Sequence, residues 1–485
     1  MNVRDLEPKI VWNHFEDLNA VPRPSKKEER IRQFMVDFGN NLGLETLVDK
    51  IGNVIIKKPA TAGMENRETV ILQTHIDMVH QKNATTQFDF LTQGIQSYID
   101  GDWVKAKGTT LGADNGMGVA AAMGLLSSSN ISHPSLEALF TIDEETGMTG
   151  AKELDGTKLS GKILLNLDTE DDDEFSVGCA GGIDTNTLYK YKEEAVPSDY
   201  VALTLNLNGL KGGHSGMDII LGRGNANLLM NRILYAITQK AAIRISELTG
   251  GSLRNAIPRE SVAKIVMPKS AKTDVIAIAD AYLKTIQTEY YQTEPDVKLE
   301  ISDANLPSKM IAEEDQIKII RAIYTTPNGV WKMSESIPGL VETSSSLAKV
   351  ICKDGEFITQ SLQRSMVESG KEDIANAIRL TYDLIGAQVV QGGDYPGWAP
   401  NPNSQILKVL EKEYVSLFNE QPKVKACHAG LECGILGEHL PDCDMVSFGP
   451  TIKNPHSPDE KVNIKSVQKF WTFLTKVIEN TPNKN

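Results

Sequence analysis

One stretch constrains this chain more than any other: Thr69-Val-Ile-Leu-Gln-Thr-His75-Ile-Asp77-Met-Val79. It opens as an apolar β-type run, Val70-Ile-Leu72, and ends in a histidine and a carboxylate two residues apart. Residues i and i+2 of a strand point to the same side, so His75 and Asp77 face one space where the strand runs out. In an open α/β sheet that is where ligands bind, beyond the carboxyl ends of the strands. Taken alone, the pair has a plain reading as a structural His–Asp hydrogen bond. The segments around it favour the other one.

Two further apolar runs end in acids. Residues 136–142 lead into Asp143-Glu144-Glu145-Thr-Gly147, and residues 163–167 stop at Asp168. Strands alternating with helices predict a mostly parallel, doubly wound α/β sheet. The helices are expected at 9–20 and after Ser25, where Ser25 and Glu28 form a capping-box pattern ahead of Ile31, Phe34, Met35 and Phe38. Short strands are expected at 44–48 and 53–57. The glycine-rich turn Gly108-Thr-Thr-Leu-Gly112-Ala-Asp114-Asn-Gly116-Met-Gly118 runs into an alanine-rich helix at 119–126. It is not a nucleotide loop: the spacing differs from G-x-G-x-x-G, Gly-Lys-Ser/Thr is missing, and an acid sits where phosphate would.

After Cys179-Ala-Gly-Gly182 the texture changes. Val201, Leu203, Leu205 and Leu207 alternate with polar or small residues, as in a strand with one wet face. A helix at 225–238, strands at 241–248 and 256–267, a helix at 274–291 and a strand at 297–302 complete a split β-α-β arrangement. The order of element types from 225 to 302 reappears from 314 to 391, which suggests a duplicated unit. Asp394-Tyr-Pro-Gly-Trp398-Ala-Pro-Asn-Pro402 is rich in breakers and reads as a return hinge. The expected organisation is a discontinuous catalytic domain, 1–190 with 395–485, and an inserted α+β lid domain, 191–394. The last helix has a candidate cap at Asn463 and an apolar stripe from Ile464 to Ile478.

The 485 residues carry a net charge of -14. That balance opposes nucleic acid or an anionic membrane as partner, because both would be repelled at long range. The five cysteines are odd in number and contain no Cys-x-x-Cys pair, so neither a disulfide framework nor a zinc knuckle is expected. The first residues have acids where a signal peptide needs an apolar core. No apolar run approaches the ~20 residues of a membrane span. These features together predict a cytoplasmic protein.

Five segments thus place histidine or acid beyond a strand or in a glycine-rich turn: His75/Asp77, Asp114, Glu144/Glu145, Asp168 and His456. As separate caps and solvated loop residues they would mean nothing. Gathered in one place they demand cations, because packed carboxylates repel. Imidazole with carboxylate suits zinc, cobalt or manganese better than calcium. Five ligands exceed what one tetrahedral ion with an open position takes, but suit two ions sharing a bridging carboxylate. Adjacent side chains diverge, so one of Glu144 and Glu145 can bind metal while the other serves as general base beside an activated water.

The set His75-Ile-Asp77, Gly-Ala-Asp114-Asn-Gly, Asp-Glu144-Glu145-Thr-Gly, Asp168 and Pro-His456-Ser-Pro resembles the co-catalytic zinc aminopeptidase/carboxypeptidase superfamily that includes the aminoacylases. Leu-Arg-Asn-Ala-Ile-Pro-Arg259, His-Ala-Gly-Leu-Glu-Cys-Gly434 and Pro-His-Ser-Pro-Asp-Glu460 are similar to its aminoacyl-histidine (Xaa-His) dipeptidase branch. The resemblance spans essentially the whole chain. It implies two zinc ions bridged by Asp114, with His75 and Asp168 on one and Glu145 and His456 on the other. Glu144 would be the general base. Asp77 would orient the His75 imidazole, although its spacing equally allows a sixth ligand. In the lid, His214 of Gly212-Gly-His-Ser-Gly216 would reach the scissile carbonyl, while Asn255 and Arg364 would hold the substrate backbone and its carboxylate. His428 and Glu432 receive no role. A homodimer through the lid would let His214 act in trans, and action in cis is the other arrangement. The implied substrate is a dipeptide, Xaa-His including β-alanyl-histidine. The rival within the same chemistry is a deacylase of N-acyl amino acids. A metal-binding module without turnover is the rival outside it, and a spare glutamate beside a ligand argues against that.

Overall fold

The computed structural model describes residues 2–335 and 337–484. These fall into two compact units: Met1–Gly178 with Pro400–Ala426 and Leu431–Asn485, and Cys179–Ala399 with Cys427–Gly430.

The first unit is built on a mixed eight-stranded sheet. Its centre is parallel: Leu136–Thr141, Val70–His75, Ile163–Asn166 and Asp444–Ser447 lie side by side in that order. Parallel strands need both faces covered, and the two longest of them are buried along their whole length. The edges turn antiparallel, through Val54–Lys58 and Glu45–Val48 on one side and Glu174–Cys179 on the other. A stripe of Val467, Phe470, Phe473, Leu474 and Val477 buries one side of the helix Ile464–Glu479. Phe473 stacks on Phe175 at 5.3 Å between centroids. The Asn463 cap is formed: its side chain accepts from the Ser466 amide at 3.0 Å.

The Ser25–Glu28 capping box is not formed. The helix starts at Glu29 without a side-chain cap. The Ser25 hydroxyl donates instead to the Met78 carbonyl at 3.2 Å, and Glu28 accepts from the Lys26 amide at 2.7 Å. Ser25 is buried against the chain leaving His75, and that tertiary bond displaces the local one. A small four-stranded sheet went unread in the sequence. It pairs Ile452–Lys453 with Lys461–Asn463, then Trp103–Ala106 and Ser97–Asp100.

In the second unit a nine-stranded antiparallel sheet carries four helices. Its strand order contains the split β-α-β pattern twice. The elements Tyr200–Asn208, Ala226–Thr238, Arg244–Gly250, Ser261–Pro268, Lys272–Glu289 and Lys298–Ala304 lie with their strands in the order four-one-three-two. Gly181–Lys190, Glu313–Thr325, Val341–Lys353, Glu356–Ser365, Glu368–Asp383 and Gln388–Tyr395 give the same order. The second strands of the two sets, Arg244–Gly250 and Val341–Lys353, pair with each other. One apolar cluster, including Leu205, Ile233, Ile265, Ile319, Phe357 and Ile378, serves both sets. Gly181–Lys190 is therefore the first strand of the second set, and the chain passes between units at 178/179 rather than after 190. The return falls at 399/400, inside the breaker-rich stretch 394–402.

Candidate functional site

The four central parallel strands of the first unit run in one direction, and their carboxyl ends deliver the site. His75 ends its strand, Asp77 follows two residues on, and Glu144 and Glu145 open the short helix after Leu136–Thr141. Asp168 follows Ile163–Asn166. His456 sits in the hairpin between Ile452–Lys453 and Lys461–Asn463, with φ +59°. Asp114 comes from the first turn of the helix Ala113–Ser127.

These side chains meet. One oxygen of Asp114 lies 3.2 Å from His75 Nε2 and the other 3.1 Å from His456 Nε2. His75 Nε2 also lies 3.4 Å from an Asp168 oxygen, and His456 Nε2 lies 2.9 Å from a Glu145 oxygen. Asp114 is thus flanked by an imidazole–carboxylate pair on each side. Asp77 is on the opposite edge of the His75 ring, 3.3 Å from Nδ1. Its two oxygens accept the main-chain amides of Glu144, at 3.1 Å, and Glu145, at 3.3 Å. The residue that touches His75 therefore also fixes the turn carrying both glutamates.

The electrostatics describe a cluster in need of positive charge. Hydrogen bonds that His456 donates to Asp114 and Glu145 push its pKa up to about 11. Burial disfavours a charge on His75, yet Asp168, Asp114 and Asp77 hold its pKa well above that of an ordinary imidazole. Burial likewise opposes ionisation of Asp114, and the imidazoles of His456 and His75 override it and keep the carboxyl low. Burial raises Asp168 to about 6 against the pull of His75. Glu144 is raised well above the usual carboxylate range by burial, with Asp168, Glu432 and Glu145 adding to it and His75 opposing. Protons held on imidazoles by surrounding carboxylates are what a divalent cation displaces on binding. The donor set fits one: ligand atoms of His75, Asp114 and Glu145 all lie within 4.8 Å of one another. Glu145 Oε1, the oxygen turned away from His456, is buried without a hydrogen-bond partner, a costly state that a cation relieves.

Glu432, given no role by the sequence, belongs to this neighbourhood. It is buried, its carboxylate accepts from Gln73 Nε2 at 2.6 Å, and burial pushes it up to about 7. Gln73 in turn accepts from Asn166 Nδ2 at 2.5 Å, and Asn166 accepts from Ser447. Gln73 and Asn166 stand two residues before His75 and Asp168, so this polar row lies directly beneath the ligands on the same sheet face. A glutamine and an asparagine inside apolar strands were the available signal.

In the second unit His214, Asn255, Arg364 and His428 come together. His214 pairs across a two-residue ladder with Ala256, next to Asn255, whose carbonyl accepts from the Ser215 amide at 2.8 Å. His214 Nδ1 accepts the amides of Gly216, at 3.2 Å, and Met217, at 2.9 Å. The neutral ring therefore carries its proton on Nε2. Burial, then Arg364, lowers the pKa of His214. Glycine is required in this turn: a Cβ at Gly216 would strike the His428 carbonyl oxygen, and Gly213 has φ +141°. Arg364 is buried and donates to Tyr395 Oη at 2.8 Å. His428 bonds Ser344 Oγ through Nε2 at 2.7 Å, and burial brings its pKa down to about 3. The motif His428–Glu432 is shared between the two units. Of the other histidines, His14 bonds Ser127, His133 bonds the Pro134 carbonyl and His439 bonds the Lys152 carbonyl.

Known proteins share this architecture. The chain is 43% identical over 481 residues to cytosol non-specific dipeptidase of Escherichia coli (strain K12), covering 99% of each. The crystal structure of aminoacylhistidine dipeptidase from Vibrio alginolyticus superposes with a TM-score of 0.98 at 43% identity, covering 100% of this chain and 99% of that one. Aminopeptidase PepT from Bacillus cereus shares the fold, with a TM-score of 0.54 at 16% identity over 98% of this chain and 99% of its own. The model of peptidase family M20/M25/M40 matches residues 71–480. This chain, with its histidines and carboxylates gathered at the ends of a parallel sheet, belongs to peptidase family M20/M25/M40 and is a metallopeptidase, a hydrolase of peptide bonds.

Proposed function

We propose that this metallopeptidase hydrolyses dipeptides, Xaa-His dipeptides such as β-alanyl-histidine among them, at a pair of zinc ions for which cobalt or manganese can substitute. The observation that carries the reading is the Asp114 carboxylate, held with one oxygen toward each of two imidazoles. Asp114 would be shared by the two ions, with His75 and Asp168 on one and Glu145 and His456 on the other. When bound, such ions lower the pKa of water and polarise a carbonyl. The remaining work falls to protein groups. Asp77, on the Nδ1 edge of His75, orients that ring and, through the amides of Glu144 and Glu145, the glutamates as well. Glu144 takes the proton of the attacking water and returns it to the leaving amine.

Both full-length relatives are dipeptidases by name, one non-specific and one aminoacylhistidine-directed. They support the dipeptide as substrate and leave N-acyl amino acid deacylation unfavoured. The cytosolic relative also supports a cytoplasmic setting, and among the described residues no helix is long and apolar enough to cross a membrane. The deciding experiment is a small dipeptide panel that includes β-alanyl-histidine and an N-acetylated amino acid, run before and after chelation. Hydrolysis of free-amine dipeptides that chelation abolishes and zinc restores is expected. Activity that survives complete metal removal, or a preference for the acylated substrate, contradicts the proposal.

For the lid we propose that His214 donates a hydrogen bond from its Nε2–H to the carbonyl oxygen as charge develops there, while Asn255 and Arg364 hold the substrate backbone and its carboxylate. A donor aimed at that oxygen stabilises the transition state more than the substrate. His214→Ala should lower kcat by about 10²–10³-fold, with the metal content unchanged and KM altered less. Near-wild-type turnover would remove His214 from the chemistry. If the lid pairs two chains in a homodimer and His214 acts in trans, mixing His214→Ala with Glu144→Gln restores activity; in cis it does not.

A further inference from the structure

Two buried charged side chains outside the seven residues of the metal cluster bind only main-chain groups, and the groups they bind belong to the ligand segments. Glu460 is 2% exposed. Its Oε2 accepts the amides of Leu111 at 2.7 Å and Gly112 at 2.9 Å; its Oε1 accepts those of Ala113 at 2.7 Å and Asp114 at 3.2 Å. The helix beginning at Ala113 has no side-chain cap from its own Gly112. Amides at a helix start lack partners within the helix, and a carboxylate distant in sequence supplies them. Arg23, also 2% exposed, donates from Nη1 to the carbonyls of Ile76, at 3.3 Å, and Asp77, at 3.1 Å. From Nη2 it donates to the Gly112 carbonyl at 2.6 Å. Burial opposes the charge on Arg23, and Glu460 is the foremost of the carboxylates that sustain it.

We propose that Glu460 and Arg23 are positioning residues that set the His75, Asp114 and His456 segments in their relative places before any metal arrives. Glu460 lies four residues after His456 on the same hairpin, so its carboxylate ties that hairpin to the segment bearing Asp114. Arg23 ties the same glycine-rich loop to the two residues that follow His75. Only a carboxylate meets the requirement at 460. It presents acceptors on both oxygens, whereas a glutamine would aim an amide N–H₂ at two N–H donors. A buried carboxylate beside other carboxylates is expensive, and four charge-assisted bonds with a buried guanidinium offset that cost. Outer groups that orient metal ligands typically carry about 10–100-fold in metal affinity.

The inference rests on the metal-centre reading above, so its test has one arm that needs no metal. In wild-type protein stripped by chelation, amide hydrogen exchange of the peptide spanning 111–114 should already be slow, and zinc should slow it little further. Rapid exchange in the stripped protein that zinc alone suppresses would overturn the proposal, because the ions would then be ordering the loop. In the second arm, competition with a chromophoric chelator should show Glu460→Gln binding zinc about 10–100-fold more weakly. The absorption bands of its cobalt-loaded form should also shift, a change that a merely structural role would not produce. Unaltered zinc affinity and cobalt spectrum in folded Glu460→Gln would equally overturn it. If that variant fails to fold, the exchange measurement decides. Wild-type protein that took up no zinc would overturn the metal-centre reading instead, and the exchange arm would still judge the clamp.

Discussion

Glu144→Gln should abolish turnover while metal content and substrate affinity stay near those of the wild type, whereas Glu145→Gln should deplete one ion. The two residues are neighbours at the start of one short helix, and both their amides are held by Asp77. From that common anchor the Glu145 carboxylate reaches to 2.9 Å from His456 Nε2. Glutamine keeps the size of the side chain at 144 and removes its ability to take a proton. Loss of a positioned general base costs about 10²–10⁴-fold in rate. Steady-state kinetics set beside elemental analysis separates the pair. Equal metal loss in both variants, or Glu144→Gln turnover within about tenfold of wild type, would contradict the assignment of the base.

Much of the site was legible because it obeys short-range periodicity. His75 and Asp77 share a side by the two-residue repeat of a strand. Glu144 and Glu145 follow an apolar run, as Asp168 does, and the parallel centre of the sheet follows from those runs. What could not be read depends on partners far away in the chain. Gly181–Lys190 looked like the tail of the first domain. It is instead a strand of the second unit's sheet, paired with Glu356–Ser365 and Gln388–Tyr395. Its buried face carries Thr185 and Thr187, which bond Gln363 and Thr359, so it lacks the apolar alternation that marks a strand. Ser25 misled in the opposite direction. Its local pattern matched a capping box, and a tertiary bond to Met78 took the hydroxyl. Arg23 gave no signal beyond its charge, and Glu432 and Glu460 stood in motifs of the resemblance without a role, because burial is a property of the fold and charged residues are ordinarily at the surface. For Asp77 the spacing left ligand and orienting residue equally open. Its place on the Nδ1 edge of His75, with Asp114 and Asp168 toward Nε2, supports the orienting role.

Whether two ions share the Asp114 carboxylate is tested most directly by Asp114→Asn. Asparagine keeps the shape of the side chain but presents a single acceptor and an N–H₂ group, so one of the two sides must lose its ligand. The loss is felt twice, because the same substitution removes a negative charge from beside both His75 and His456. Metal content per chain, measured by elemental analysis after equilibration with zinc and removal of the excess, should be two equivalents in the wild type. In Asp114→Asn it should be clearly fewer, with dipeptide hydrolysis lost in parallel. Two full equivalents of zinc retained by Asp114→Asn, or a wild type saturated by one, would contradict the account.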